Sequence, residues 1–140
     1  MRQDVRIFSL TEVTKSIERT LTSRYSSEFW VKAEMLKLNY YTYSGHAFPD
    51  LVEKDNGVIV TQMRAIIWAS DFKRISEKFS LAGVELTDGT TILCKASIKY
   101  NGLYGLSLRI SDIDTAFSLG ELEKEKNASI EKLKEEKIFD

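Results

Sequence analysis

The stretch YYTYSGHAFPDLVEK, residues 40–54, gathers three tyrosines, the chain's only histidine and its only proline around a Ser-Gly turn. Histidine is the side chain best suited to move a proton near neutral pH, but as a general base it needs a group that orients it and a nucleophile to activate. His46 has no such company: no Ser/His/Asp or Cys/His set recommends itself, no Gly-rich phosphate loop is present, and no carboxylate cluster suggests a two-metal centre. The single cysteine, Cys94, can form no internal disulfide, and no Cys/His spacing fits zinc, so neither a metal nor a cofactor is expected. What the pattern offers instead is flat rings beside isolated cations. Tyr40, Tyr41, Tyr43 and Phe48 lie around the turn, Trp68 follows Arg64, the only charge between Asn56 and Ser70, and Tyr100 and Tyr104 flank a second turn beside Lys99. Between Thr90 and Ser111 the only charges are Lys95, Lys99 and Arg109. Rings on which bases can stack, interleaved with cations that follow phosphates, are the chemistry of single-stranded nucleic-acid binding. The candidate contacts are Lys37, Tyr40, His46, Phe48, Arg64, Trp68, Lys95, Lys99, Tyr100, Tyr104 and Arg109, with no catalytic residue among them.

Each of these residues also has a plainer use. Turn tyrosines commonly cover the rim of a barrel, tryptophan is heavily buried on average, and a lone histidine beside a turn usually makes a structural hydrogen bond. The net charge of -1 gives no overall attraction for a polyanion, so such attraction must rest on the two purely basic segments. A length of 140 residues suits one domain with a real core. The amino terminus lacks an apolar h-region and no long uncharged apolar run follows, so a reducing, cytoplasmic setting without a membrane is expected.

The elements that must position the rings can be read from periodicity. SLTEVTKSIERTLTSRY places Leu10, Val13, Ile17 and Leu21 at helical spacing, with Ser9 and Glu12 as a capping box, and predicts a helix ending near Ser23. EFWVKAEML alternates, with Phe29, Val31, Ala33 and Met35 on one face, and predicts a first strand. The turn KDNG joins a second strand, from about His46 to Glu53, to a third within GVIVTQMRAIIWAS. SDFKRISEKFSLAG predicts a helix capped by Ser70 or Asp71, with Phe72, Ile75 and Phe79 on one face and Gly83 as its stop. TILCKASIKY and YGLSLRISDI give a fourth and a fifth strand around YNGLY. The closing SLGELEKEKNASIEKLKEEKIFD, with Ser118 and Glu121 as a capping pair, is expected to be helical with a thin apolar stripe.

Three strands, a helix and two more strands is the order of the OB-fold, a five-stranded Greek-key barrel, here mainly β with helices at both ends. An SH3-like barrel or an open sheet would share the alternation. Ala33 and Ala96 suit the tight interior of a closed barrel. Parity along the second strand puts Ala47, Pro49 and Leu51 inward and His46, Phe48 and Asp50 outward. In the third it puts Met63, Ala65 and Ile67 inward and Arg64, Ile66 and Trp68 outward. Pro49 cannot donate to a ladder and marks an edge or a bulge.

EFWVKAEM, SGHAFPDLVEK, RAIIWAS, LYGLSLRISDID and the closing segment resemble, in order and spacing, the amino-terminal part of the exodeoxyribonuclease VII large-subunit family, in its Bacteroides-type form. Phe29, Trp30, Val31 and Glu34 match its first strand, Ser44, Gly45 and His46 its turn, and Arg64 and Trp68 its third strand. Leu133, Glu136, Phe139 and Asp140 match its tail, whereas Ala33, Ala47 and Lys137 depart from its pattern. The resemblance implies an OB-fold DNA-binding domain over 1–115 and the helical start of a nuclease domain over 116–140. It implies a parent enzyme that degrades single-stranded DNA to oligonucleotides, with a small subunit as partner. It further implies that the catalytic segment lies beyond residue 140, so this stretch is expected to bind DNA without cleaving it. The alternative expectation is an assembly or substrate-gating module that contacts other subunits through its aromatic face.

Overall fold

The computed structural model describes residues 5–124, and its regular elements follow the expected order. They are α1 (Leu10–Arg24), β1 (Phe29–Lys37), β2 (Asp50–Asp55), β3 (Val58–Ile66), α2 (Ala69–Ala82), β4 (Thr90–Asn101) and β5 (Gly105–Ile113), with a further helix, α3, over 115–124. The strands close into a barrel in the order β1-β2-β3-β5-β4, with β1 returning to pair with β4. All pairings are antiparallel except the short one between β3 and β5, where Ala65 faces Leu108 and Ile66 faces Arg109. This is the OB-fold topology, and it excludes the open sheet.

Local chemistry accounts for most element ends. The capping box of α1 forms as its sequence predicts: Ser9 Oγ accepts from the Glu12 amide at 3.1 Å, and Glu12 Oε1 accepts from the Ser9 amide at 3.1 Å. The β2–β3 hairpin turns on Asn56 and Gly57, with φ of 51° and 78°, the positive values that a tight two-residue turn demands. Regular β2 begins at Asp50 and not near His46. Pro49 has no N–H for the ladder, and the preceding residues form no continuous strand, making isolated bridges from Ala47 to Tyr40 and Ile67.

Two expected caps are corrected. The residue capping α2 is Trp68, which supplies no side-chain hydrogen bond, and not Ser70 or Asp71. Asp71 is instead committed to ion pairs with Arg74 at 3.1 Å and Arg109 at 3.3 Å. At α3 the cap is Asp114, whose Oδ1 accepts from the Phe117 amide at 2.9 Å, so Ser118 lies inside the helix. The rest of the closing segment, including Leu133, Glu136, Phe139 and Asp140, lies outside the described residues.

The interior is filled from the faces that strand parity selects. Met35, Ala47, Leu51, Ala65, Ile67, Ile92, Cys94, Ala96, Leu108, Ile110 and Ile113 are buried, and α2 plugs one end of the barrel with Ile75 and Phe79. Desolvation holds the Cys94 thiol protonated, pushing its pKa up to about 12. By contrast α1 buries none of its residues; it lies against the outside of β4, with Thr14 close to Gly102. Among the described residues no helix is long and apolar enough to cross a membrane, and no group of three His, Cys, Asp or Glu could hold a metal ion.

Candidate nucleic-acid interface

The outward face of β2 and β3 forms one wall of a groove of about 840 Å³, and the β4–β5 hairpin forms the other. Its size falls within the range of ordinary ligand sites. On the first wall stand Phe48 and Trp68, 37% and 41% exposed, and on the second Tyr100 and Tyr104. Between them lie Arg64, Lys99 and Arg109. A second hollow of about 540 Å³, between the end of α2 and α3, is lined by Glu85 and Glu121 and by no cation, which makes it a poor seat for a polyanion.

His46 explains how the first wall is built. Gly45 has φ of 79°, and a Cβ there would come within 3.0 Å of the Ala69 Cβ, so only glycine lets the turn lie this close to α2. That approach brings His46 Nδ1 within 2.9 Å of the Ala69 amide, from which it accepts a hydrogen bond. The histidine thus satisfies one of the orphan amides of α2 that Trp68 leaves open. Accepting at Nδ1 requires the tautomer with its proton on Nε2. The ring also meets Trp68 edge-on at 4.9 Å and Phe48 at 6.3 Å, while Tyr41 meets Phe48 at 5.4 Å. These contacts pack His46 against both Trp68 and Phe48, and Tyr41 against Phe48, and so steady the two rings of the first wall.

The cations are held differently. Arg64 donates from Nη2 to the Tyr104 carbonyl at 3.0 Å, tying the third strand to the hairpin across the groove. Arg109 donates to Asp71 at 3.3 Å, and its Nε is the buried side-chain polar atom without a partner among the described residues. Asp71 belongs to a wider belt between α2 and β5, where Arg74 and Lys78 pair with Asp112 at 3.5 Å and 2.8 Å and Arg74 also bonds the Ser111 carbonyl. Lys99 is exposed and has no ion-pair partner among the described residues.

Seven of the eleven candidate residues therefore share the groove: Phe48, Arg64, Trp68 and Arg109 from the barrel wall, with Lys99, Tyr100 and Tyr104 from the hairpin. Four do not line it. His46 stands behind the rings, Tyr40 stacks on Phe72 of α2 with centroids 4.7 Å apart, and Lys37 ends β1 across from Asp50. Lys95 lies in register with Trp30 and Asp112, farther along β4. Tyr43, another of the tyrosines around the Ser-Gly turn, is fully exposed and outside the groove. The residue that reading by rings and cations passed over is Asp50, a groove-lining carboxylate; its outward parity was the available signal.

A family model described as an OB-fold nucleic acid binding domain matches residues 8–114, which span the barrel with α1 and α2. No curated protein matches the chain.

Proposed function

We propose, from the premise that the chain belongs to the OB-fold nucleic acid binding domain family, that its groove binds single-stranded DNA. The observation that carries this reading is the joining of four rings and three cations in one open groove, two of the rings steadied by contacts with His46 and Tyr41. Bases stack on Phe48, Trp68, Tyr100 and Tyr104, and phosphates follow Arg64, Lys99 and Arg109. Nothing in such a set reads base edges strongly, so sequence preference is modest. The resemblance to the exodeoxyribonuclease VII large subunit supports the further reading that the domain captures substrate for a nuclease segment of a parent enzyme. There hydrolysis is the work of residues outside this barrel, and a small subunit completes the complex.

The test is titration of the chain with oligo-dT, followed by Trp68 fluorescence in a Trp30→Phe background so that one indole reports. Quenching that saturates at low salt is expected. Absence of any change in fluorescence or in an independent gel-shift assay removes the groove as a DNA site.

One observation favours a second reading, an assembly surface. Val5, Ile7, Phe8 and Leu10 are 61%, 83%, 56% and 78% exposed in the segment that leads into α1, apolar side chains interspersed with Arg6 and Ser9. Under that reading the chain self-associates with concentration in gel filtration; a constant elution volume sets it aside.

A further inference from the structure

The groove contains one group that a site for phosphate and stacked rings does not need. Asp50 lines it, on the strand position directly across from Arg64. Opposite charges in that register commonly pair, yet no ion pair within 4.0 Å forms, because Arg64 reaches over the groove to the Tyr104 carbonyl. Lys37, its neighbour on β1, does not pair with it either. Among the described residues Asp50 accepts no side-chain hydrogen bond, and its oxygens are not among the buried, unpartnered atoms. It is a half-buried, unpaired carboxylate lining the groove, with Phe48 two residues before it on the same face.

A carboxylate repels the phosphates that Arg64 attracts, so backbone cannot run past it without cost. It is suited to the opposite part of the strand, the hydrogen-bonding edge of a base stacked beside it. We infer that Asp50 is a base-reading residue that selects guanine at one position of the bound strand. A carboxylate has only acceptors, and it takes two parallel hydrogen bonds from a partner that offers two adjacent donors. Guanine offers that pair on its Watson–Crick edge, N1–H beside the N2 amino group. Cytosine and adenine present one amino donor next to a ring acceptor. Thymine presents a single N3–H between two carbonyl oxygens, both of which face the carboxylate unfavourably. The expected order is guanine first and thymine last. This inference rests on the groove being the DNA site, and it adds a local preference to otherwise sequence-tolerant stacking.

The experiment compares twelve-nucleotide oligo-dT with the same oligomer carrying one central guanine, one central inosine or one central cytosine, by fluorescence titration of the intact chain. The guanine oligomer is expected to bind at least about fivefold more tightly than oligo-dT, the lower end of what one bidentate contact discriminates. Inosine, which keeps N1–H but lacks the N2 amino group, falls between them. In Asp50→Asn the guanine preference drops to within about twofold while oligo-dT binds more tightly, because a like charge has left the phosphate path. Equal affinities for all four oligomers in the unmodified chain overturn the role of Asp50 and leave the groove standing. Equal strengthening for guanine and thymine in Asp50→Asn also overturns it, since that is repulsion alone. No binding by any oligomer removes the groove and this inference together.

Discussion

Tyr104 is 74% exposed, so its ring contributes little to the fold and much of it is free to receive a base. Its backbone carbonyl holds Arg64 whatever side chain it carries, which separates the clamp from the stacking surface. Tyr104→Ala should therefore weaken oligonucleotide binding by about 1–3 kcal/mol while leaving the melting temperature unchanged. A titration and a thermal melt of the same preparation check both halves. Cys94 is the converse case, a side chain that matters to stability and not to binding. Its thiol stays protonated in the folded barrel up to about pH 12, whereas an unfolded thiol ionises from about 9.0. The unfolded chain alone loses this proton across that window, so the Cys94 contribution is intact below about pH 9 and is lost as pH rises toward 12. Thermal melts from neutral to strongly alkaline pH should show a shallower alkaline decline in Cys94→Ala than in the unmodified chain.

Among the elements, α2 shows how a contact distant in sequence replaces a local one. His46 caps its first turn from 23 residues away, so His46→Ala should destabilise the protein by about 1 kcal/mol, and His46→Asn, which keeps an acceptor, should recover part of the loss. Urea unfolding midpoints measure this, and oligonucleotide affinity should follow because the same ring steadies Trp68. Features governed by near neighbours were legible in the sequence: the Ser9–Glu12 box, the Asn56-Gly57 hairpin, the inward and outward parity of β2 and β3, and the order of strands and helices along the chain from which the OB-fold was read. Features decided by packing were not. Ser70 and Asp71 both look like caps, but Asp71 is drawn away by Arg109, a residue 38 positions later, and Tyr40 turns toward Phe72 once α2 folds beside it. Asp50 was visible as an outward residue, yet only the direction taken by Arg64 leaves its carboxylate unpaired.

For the whole molecule the net charge of -1 means that capture of a polyanion depends on short-range contacts in the groove and gains little from long-range steering. The belt of Arg74, Lys78, Asp71 and Asp112 reinforces this, because it pairs two of the cations of α2 with carboxylates. If Arg64, Lys99 and Arg109 each displace one counterion, log K against log salt should fall with a slope near about -2 for single-stranded DNA. A slope close to zero would rule out phosphate contact, and one near about -3.5 would require Lys37 and Lys95 as well. The return of β1 to β4 has a consequence for how the molecule comes into being. As the chain leaves the ribosome, the first three strands emerge with both edges still lacking their neighbours, β4 beside β1 and β5 beside β3, and both of these are translated only after α2. The nascent domain is exposed to mispairing throughout this interval, and addition of the last strands ends it.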